Sequence, residues 1–234
     1  MSQELWNTLA GKAGLGLDPQ QTGQFNAYLD LLLTANQRMN LTRITDRGQA
    51  QILHVADALT VLPHLPPKGH RLADVGSGGG VPGIVLAIAR PDVQVVLIES
   101  TRKKADFLLA AVSELKLSNV MVEPKRAEDL AWSPQRESFD VVVARAVALM
   151  PILVEWLLPL VKVGGWALAM KGPKAVEEMK QAQRAIKSLG GGQPAAFPVD
   201  LQPTTGHLII KIPKIARTQG RFPRRPSVAK GLPI

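Results

Sequence analysis

A chain of 234 residues with 28 lysines and arginines against 19 aspartates and glutamates has a formal net charge of +9, and it contains no cysteine. That length suits one α/β domain with a terminal extension, and the missing cysteine excludes disulfides, thiolate zinc sites and a cysteine nucleophile. No apolar run is long enough to span a bilayer and the N-terminus lacks a basic-then-apolar leader pattern, so the expectation is a cytoplasmic protein with no membrane partner.

In chain order, residues 1–19 carry Gly11, Gly14, Gly16 and Pro19, which discourage a long first helix. Phe25, Tyr28, Leu29, Leu32 and Ala35 then recur at helical spacing and predict a helix from about Gln21 to Met39. Leu31 and Leu33 widen its apolar stripe, so it packs on two sides. Asn40-Leu41-Thr42 breaks it. A second helix is expected from about Arg47 to Leu62, with Ile52, Val55, Ala56 and Leu59 on one face and a stop at Pro63. His54 and Asp57, three apart, fall on a neighbouring face and read as a surface hydrogen-bonded pair. Residues 1–66 are therefore expected to be a helical extension ahead of the first strand.

The stretch from Arg71 to Ser100 organises the rest. Arg71 to Val75 is an apolar strand, Gly76-Ser77-Gly78-Gly79-Gly80-Val81-Pro82-Gly83 a glycine-rich loop, the run to Ala89 a helix, and Val95 to Glu99 a second buried strand. This is half of a βαβ nucleotide site. Gly76 and Gly78 let the backbone take positive φ and lie against a ligand. Gly78 to Gly83 formally satisfies G-x-G-x-x-G, the loop that presents N–H groups to a dinucleotide's diphosphate, which keeps an NAD(P)-dependent oxidoreductase open. Asp74, just before the first glycine, argues the other way. A carboxylate there repels a diphosphate but attracts the sulfonium and ammonium of S-adenosylmethionine. Capping the loop's own amides is its bland role, and one oxygen can cap while the other faces a ligand. Glu99 ends the second strand, where a carboxylate accepts bonds from ribose hydroxyls. Asp74, the glycines and Glu99 together favour a methyltransferase.

A helix follows from Thr101 to about Leu117, with Lys103 and Lys104 in its first turn. Cations oppose the helix dipole there, which suggests RNA phosphate as a neighbour against the safer reading of ordinary surface lysines. Asn119 to Val122 is a third strand, and the loop after it places Ala127 and Glu128 to flank an adenine. Phe139 to Ala144 is a fourth strand with Arg145 at its open end, aimed at a methionine carboxylate or an RNA phosphate. Met150 to Leu160 is helical, Trp166 to Met170 a strand ending at Lys171, which with Arg145 is expected to place the cofactor or the RNA backbone, and Lys174 to Leu189 a basic helix. Ala195 to Val199 and His207 to Ile212 can close the sheet as a hairpin, which ends the domain of residues 67–213. From Leu201 to Ile234 there are seven basic residues and no acidic one. Such a block points to a polyanion, nucleic acid ahead of membrane, with Arg221, Arg224 and Arg225 as contacts. With Gly220, Pro223, Pro226 and Pro233, residues 214–234 read as a disordered basic tail.

These stretches resemble the bacterial glucose-inhibited division protein B family, the 16S ribosomal RNA guanine-N7 methyltransferases. The resemblance is carried, in family order, by Asn40-Leu41-Thr42, His54 with Asp57-Ala58-Leu59, the loop from Asp74 to Gly83, Lys103-Lys104-Ala105-Asp106-Phe107-Leu108, Arg145-Ala146-Val147-Ala148 and Met170-Lys171-Gly172-Pro173. Ala58 departs from the family's usual serine. The resemblance implies a class I S-adenosylmethionine-dependent methyltransferase fold: Rossmann-like α/β, seven strands mostly parallel with the last antiparallel. It implies S-adenosylmethionine contacts at Gly76, Val81, Ala127, Glu128 and Arg145, and 16S rRNA in the small ribosomal subunit as partner of a monomeric enzyme. Guanine N7 carries an in-plane lone pair and needs no deprotonation, so no catalytic base, nucleophile or metal is expected, and orientation supplies the acceleration. A non-catalytic RNA-binding factor of ribosome assembly is the other alternative.

Overall fold

Seven strands are expected and seven are found: β1 (Arg71–Val75), β2 (Gln94–Ile98), β3 (Val120–Glu123), β4 (Phe139–Arg145), β5 (Val161–Lys171), β6 (Ala195–Pro198) and β7 (Leu208–Pro213). In the computed structural model, which describes residues 2–224 and Ile234, they form one sheet in the order β3-β2-β1-β4-β5-β7-β6. β1 pairs in parallel with β2 and β4, β2 with β3, and β4 with β5. β7 runs antiparallel to both of its neighbours, β5 and β6. This is a doubly wound, Rossmann-like sheet.

The helices are α1 (Ser2–Gly11), α2 (Pro19–Met39), α3 (Arg47–Ala50), α4 (Asp57–Leu59), α5 (Gly83–Ala89), α6 (Arg102–Glu114), α7 (Ala127–Leu130), α8 (Met150–Leu157) and α9 (Ala175–Ser188). α2 starts where local chemistry directs. The Asp18 carboxylate accepts the Gln21 N–H at 2.7 Å and the Gln21 side chain accepts the Asp18 N–H at 2.9 Å, a capping box with Pro19 in the first turn. α1 is short, ending at Gly11, and Trp6 anchors it. The indole is fully buried edge-on to Phe25, ring centroids 5.4 Å apart, and donates to the Gln51 carbonyl at 3.0 Å.

The helices of residues 1–66 precede β1 and pack onto the sheet domain. α1, α2, α4 and α5 share one apolar cluster with inward residues of β1, β2, β4 and β5. Every residue of α5 is buried as a result, sheet on one side and N-terminal helices on the other. The second helix is also not the regular α-helix that its apolar spacing predicts. Between α3 and α4 the chain makes a π-helical turn, Gln51–Ala56, and a short 3₁₀ turn, Leu62–His64, closes the segment.

Residues 214–224 of the expected basic tail are packed, and residues 225–233 lie outside the described residues. Lys214 is buried and donates to the Leu158 carbonyl at 2.8 Å, the Leu189 carbonyl at 3.0 Å and the Thr218 hydroxyl, with Glu137 at 3.3 Å. Burial pushes its ammonium down to about 8. Arg136 donates to the carbonyls of Thr218 and Phe222, and Trp132 to that of Pro223. Among the described residues no helix is long and apolar enough to cross a membrane.

Candidate active site

The crossovers after β1 and β4 leave in opposite directions, so the C-terminal ends of these adjacent strands open a crevice where doubly wound sheets hold ligands. The glycine loop floors it. Gly76, Gly78 and Gly80 take left-handed backbone, φ 71°, 56° and 98°. A Cβ on Gly76 would lie 2.8 Å from a Val147 methyl, and one on Gly80 2.5 Å from an Ile84 methyl. Val81 is buried behind the loop.

Asp74 is fully buried beneath that loop. Its Oδ2 accepts the Gly83 N–H at the start of α5, 3.0 Å away, and its Oδ1 has no hydrogen-bond partner among the described residues. Burial pushes the carboxyl up to about 7. One oxygen caps the start of α5, and the other is buried without a partner among the described residues. Glu99 is also buried. Its Oε2 accepts the Gly78 N–H at 3.0 Å and its Oε1 the Thr101 N–H at 2.7 Å, which ties the loop to the entry of α6. Each oxygen keeps a second lone pair. Ala127 and Glu128 open α7 and are buried, and Ala127 packs in the same cluster as Val75 and Ile98 at the ends of β1 and β2. A left-over buried carboxylate oxygen beneath a glycine surface fits a cationic adenosyl ligand such as S-adenosylmethionine.

Arg145 does not project freely. Its Nη1 donates to the Leu53 carbonyl at 2.7 Å and to Asp57 Oδ2 at 2.9 Å, and its Nη2 to His54 Nδ1 at 3.1 Å. His54 and Asp57 are therefore no surface pair. Both are buried, His54 reaches Thr42 Oγ1 through Nε2 at 3.0 Å, and His207 lies 3.9 Å from Asp57. Leu53 and His54 lie in the π-turn and Asp57 directly follows it. Burial, with the Arg145 charge, pushes the His54 imidazole down to about 4, so the ring is neutral at pH 7.

The expected RNA contacts separate into two groups. Lys103 and Lys104 stand in the first turn of α6, and Gln24 at one end of α2 bonds the Leu115 carbonyl at the other end of α6. Arg38 stands in the last turn of α2, and Arg43 follows two residues after Leu41, which packs against Gly79 of the loop. None of these four cations is in an ion pair among the described residues. Lys171 is instead engaged, donating to the Ala148 carbonyl at 2.9 Å and pairing with Glu178 at 2.6 Å. Arg224 is bound through its guanidinium to the fully buried Glu155, 2.7 Å, because the packed C-terminal segment brings the two together. Arg221 is exposed over the Phe222 ring, and Arg225 lies outside the described residues.

The family model for GidB, rRNA small subunit methyltransferase G, matches residues 21–200. The chain belongs to this family. A ribosomal RNA small subunit methyltransferase G from Pelotomaculum thermopropionicum is 43% identical over 96% of this chain and 95% of its own. Its counterpart from Lactobacillus delbrueckii subsp. bulgaricus is 37% identical over 100% of both chains. Among solved structures, an S-adenosylmethionine-dependent O-methyltransferase from Thermotoga maritima is similar at a TM-score of 0.50, with 17% identity over 80% of this chain and 72% of that one. A 16S rRNA N2 G1207 methyltransferase from T. thermophilus, in complex with AdoMet and guanosine, gives 0.50 at 16% identity over 68% and 38%. At such identities the likeness shows the class I methyltransferase fold.

In this GidB-family chain two residues at the crevice carried no role in the sequence reading. Tyr28, buried on α2, donates its hydroxyl to the Gly79 carbonyl at 2.7 Å. Thr42 Oγ1 lies 3.0 Å from His54 Nε2 and accepts the Ile44 N–H at 3.1 Å. Tyr28 was visible as a core-facing residue, whereas the partner of its hydroxyl, 51 residues away, was not.

Proposed function

We propose that this chain transfers the methyl group of S-adenosylmethionine to N7 of a guanine in the 16S rRNA of the small ribosomal subunit. The observation that carries this reading is the buried Asp74 carboxylate under the glycine loop, with one oxygen on the Gly83 N–H and the other unpartnered among the described residues. A negative group at that place favours a cationic methyl donor over an anionic diphosphate. Family membership and the names of the relatives support small-subunit rRNA as the substrate class.

S-adenosylmethionine supplies an electrophilic methyl on a sulfonium. Asp74 would balance its positive charge, Gly76, Gly78 and Val81 would bed it, Glu99 would hold its ribose hydroxyls, and Ala127 with Glu128 would flank its adenine. Arg145 would take its carboxylate through whatever donor capacity the bonds to Leu53, His54 and Asp57 leave. Because guanine N7 attacks with a free lone pair, these residues need only align donor and acceptor and exclude water. Arg38, Arg43, Lys103 and Lys104 would meet RNA phosphates around the crevice.

The test is incubation of the purified protein with labelled S-adenosylmethionine and small subunits from a strain lacking the gene, followed by mapping of the modified base. Label at one guanine N7 supports the reading. Binding of RNA without methyl incorporation, or tight binding of NADH in place of S-adenosylmethionine, overturns it.

A further inference from the structure

We infer that Thr42 is the residue that distinguishes guanine from adenine at the acceptor base, an inference that rests on the guanine-N7 reading. Both purines offer N7 on the same edge. They differ next to it, where guanine has the O6 acceptor and adenine the N6 amino donor. An enzyme that methylates N7 therefore needs beside that atom a donor that cannot also accept. A threonine hydroxyl ordinarily serves either way. Here its neighbours remove the choice.

The guanidinium of Arg145 can only donate, so His54 Nδ1, 3.1 Å from Nη2, must accept. That leaves the ring hydrogen on Nε2, which donates to Thr42 Oγ1 at 3.0 Å. The Ile44 N–H donates to the same oxygen at 3.1 Å. Both lone pairs of the hydroxyl are then occupied and its proton has to be given to an acceptor elsewhere. Among the described residues no acceptor takes it. Thr42 is held in place by its own N–H, which donates to Asn36 Oδ1 at 2.8 Å. The residue is half-buried. It sits between the two walls of the crevice: its neighbour Leu41 packs within 3.6 Å of the Cβ direction of Gly79, and the chain of bonds through His54 ends on Arg145 at the tip of β4. An outward donor in that position donates to O6 and repels an amino group.

The test uses small subunits reconstituted with guanine, inosine or 2,6-diaminopurine at the target position. Inosine keeps O6, and 2,6-diaminopurine replaces it with an amine. Methyl incorporation, retention of each subunit on a filter, and affinity for S-adenosylmethionine are measured for the native chain, Thr42→Val and Thr42→Ser. The native chain is expected to treat guanine and inosine alike and to reject 2,6-diaminopurine about 100-fold. Thr42→Val should lose roughly 10- to 100-fold in turnover and a parallel share of binding on guanine and inosine, with 2,6-diaminopurine unchanged. Thr42→Ser should restore discrimination, and affinity for S-adenosylmethionine should stay constant throughout. If Thr42→Val keeps the native preference, or loses all three substrates equally, the inference is wrong and Thr42 only supports His54. Thr42→Ala, which cannot overpack, replaces the valine variant should that one not fold. A native chain that methylates an atom other than N7, or no subunit at all, overturns the guanine-N7 reading and the inference with it.

Discussion

Tyr28 and Gly79 are joined by a hydrogen bond of 2.7 Å from a fully buried hydroxyl to a loop carbonyl. Helix α2 thereby holds the glycine loop. Tyr28→Phe keeps the packing and removes the donor, which should cost about 1–2 kcal/mol in stability. Affinity for S-adenosylmethionine, measured by calorimetry, should fall several-fold. Unchanged affinity would mean that the loop keeps its shape without this anchor.

Asp74 makes both stability and binding depend on pH. Burial raises its carboxyl to about 7, above the value it has when unfolded, so this group's contribution to stability is full at low pH and is lost as the pH climbs through 7. The loss amounts to roughly 4 kcal/mol. Affinity for the cationic ligand should move oppositely and strengthen from pH 6 to 8 as the carboxylate ionises. Asp74→Asn should abolish both trends, raising the unfolding midpoint at pH 8 while weakening binding. A flat binding profile in the native chain would remove Asp74 from the cofactor site.

His54 gives the opposite slope. Its imidazole falls to about 4, below the unfolded value, so its contribution is present above about pH 6.5 and disappears as the pH drops toward 4. The size is roughly 3 kcal/mol. Denaturant titrations of His54→Gln and the native chain at pH 7 and 4.5 should converge at the lower pH. A constant gap between them would contradict the neutral, buried ring.

Gly83 lies where α5 approaches β1 and β2. A Cβ there would be 2.3 Å from a Leu97 methyl and 2.7 Å from Asp74 Oδ2. Gly83→Ala should cost about 1–3 kcal/mol and disturb the Asp74 carboxylate, so unfolding and ligand titration should both report it. At Gly78 a Cβ meets nothing closer than 3.8 Å, and the penalty of Gly78→Ala should be only the left-handed backbone, about 1 kcal/mol.

Lys214 is the pin of the C-terminal segment. Lys214→Met leaves the Leu158 and Leu189 carbonyls without its N–H groups and frees residues 215–224. Limited trypsin digestion should cut at Arg217 and Arg221 much faster than in the native chain. Equal rates would show that Arg136 and Glu155 hold the segment unaided.

The sheet and the glycine loop were legible because both depend on local pattern: alternating or continuous apolar runs, and clustered glycines between a strand and a helix. Asp74 and Glu99 were legible for the same reason, since each sits at a strand end whose direction was already known. The surroundings of Arg145 were not. A π-turn inserts a residue without changing the apolar count, so periodicity placed His54 and Asp57 on the wrong face. The fate of Lys214 and Arg224 was equally hidden, because the groups that receive them come from residues 137, 155, 158 and 189. Basic, proline-rich composition describes such a segment alone and says nothing of a groove built by distant parts of the chain.

The position of β7, between β5 and the edge strand β6 that precedes it in the chain, bears on biosynthesis. Strands β1 to β5 can assemble as they emerge, but β6 has no neighbour to join until residues 208–213 arrive to bridge it. The far edge of the sheet is therefore the last part of it to form.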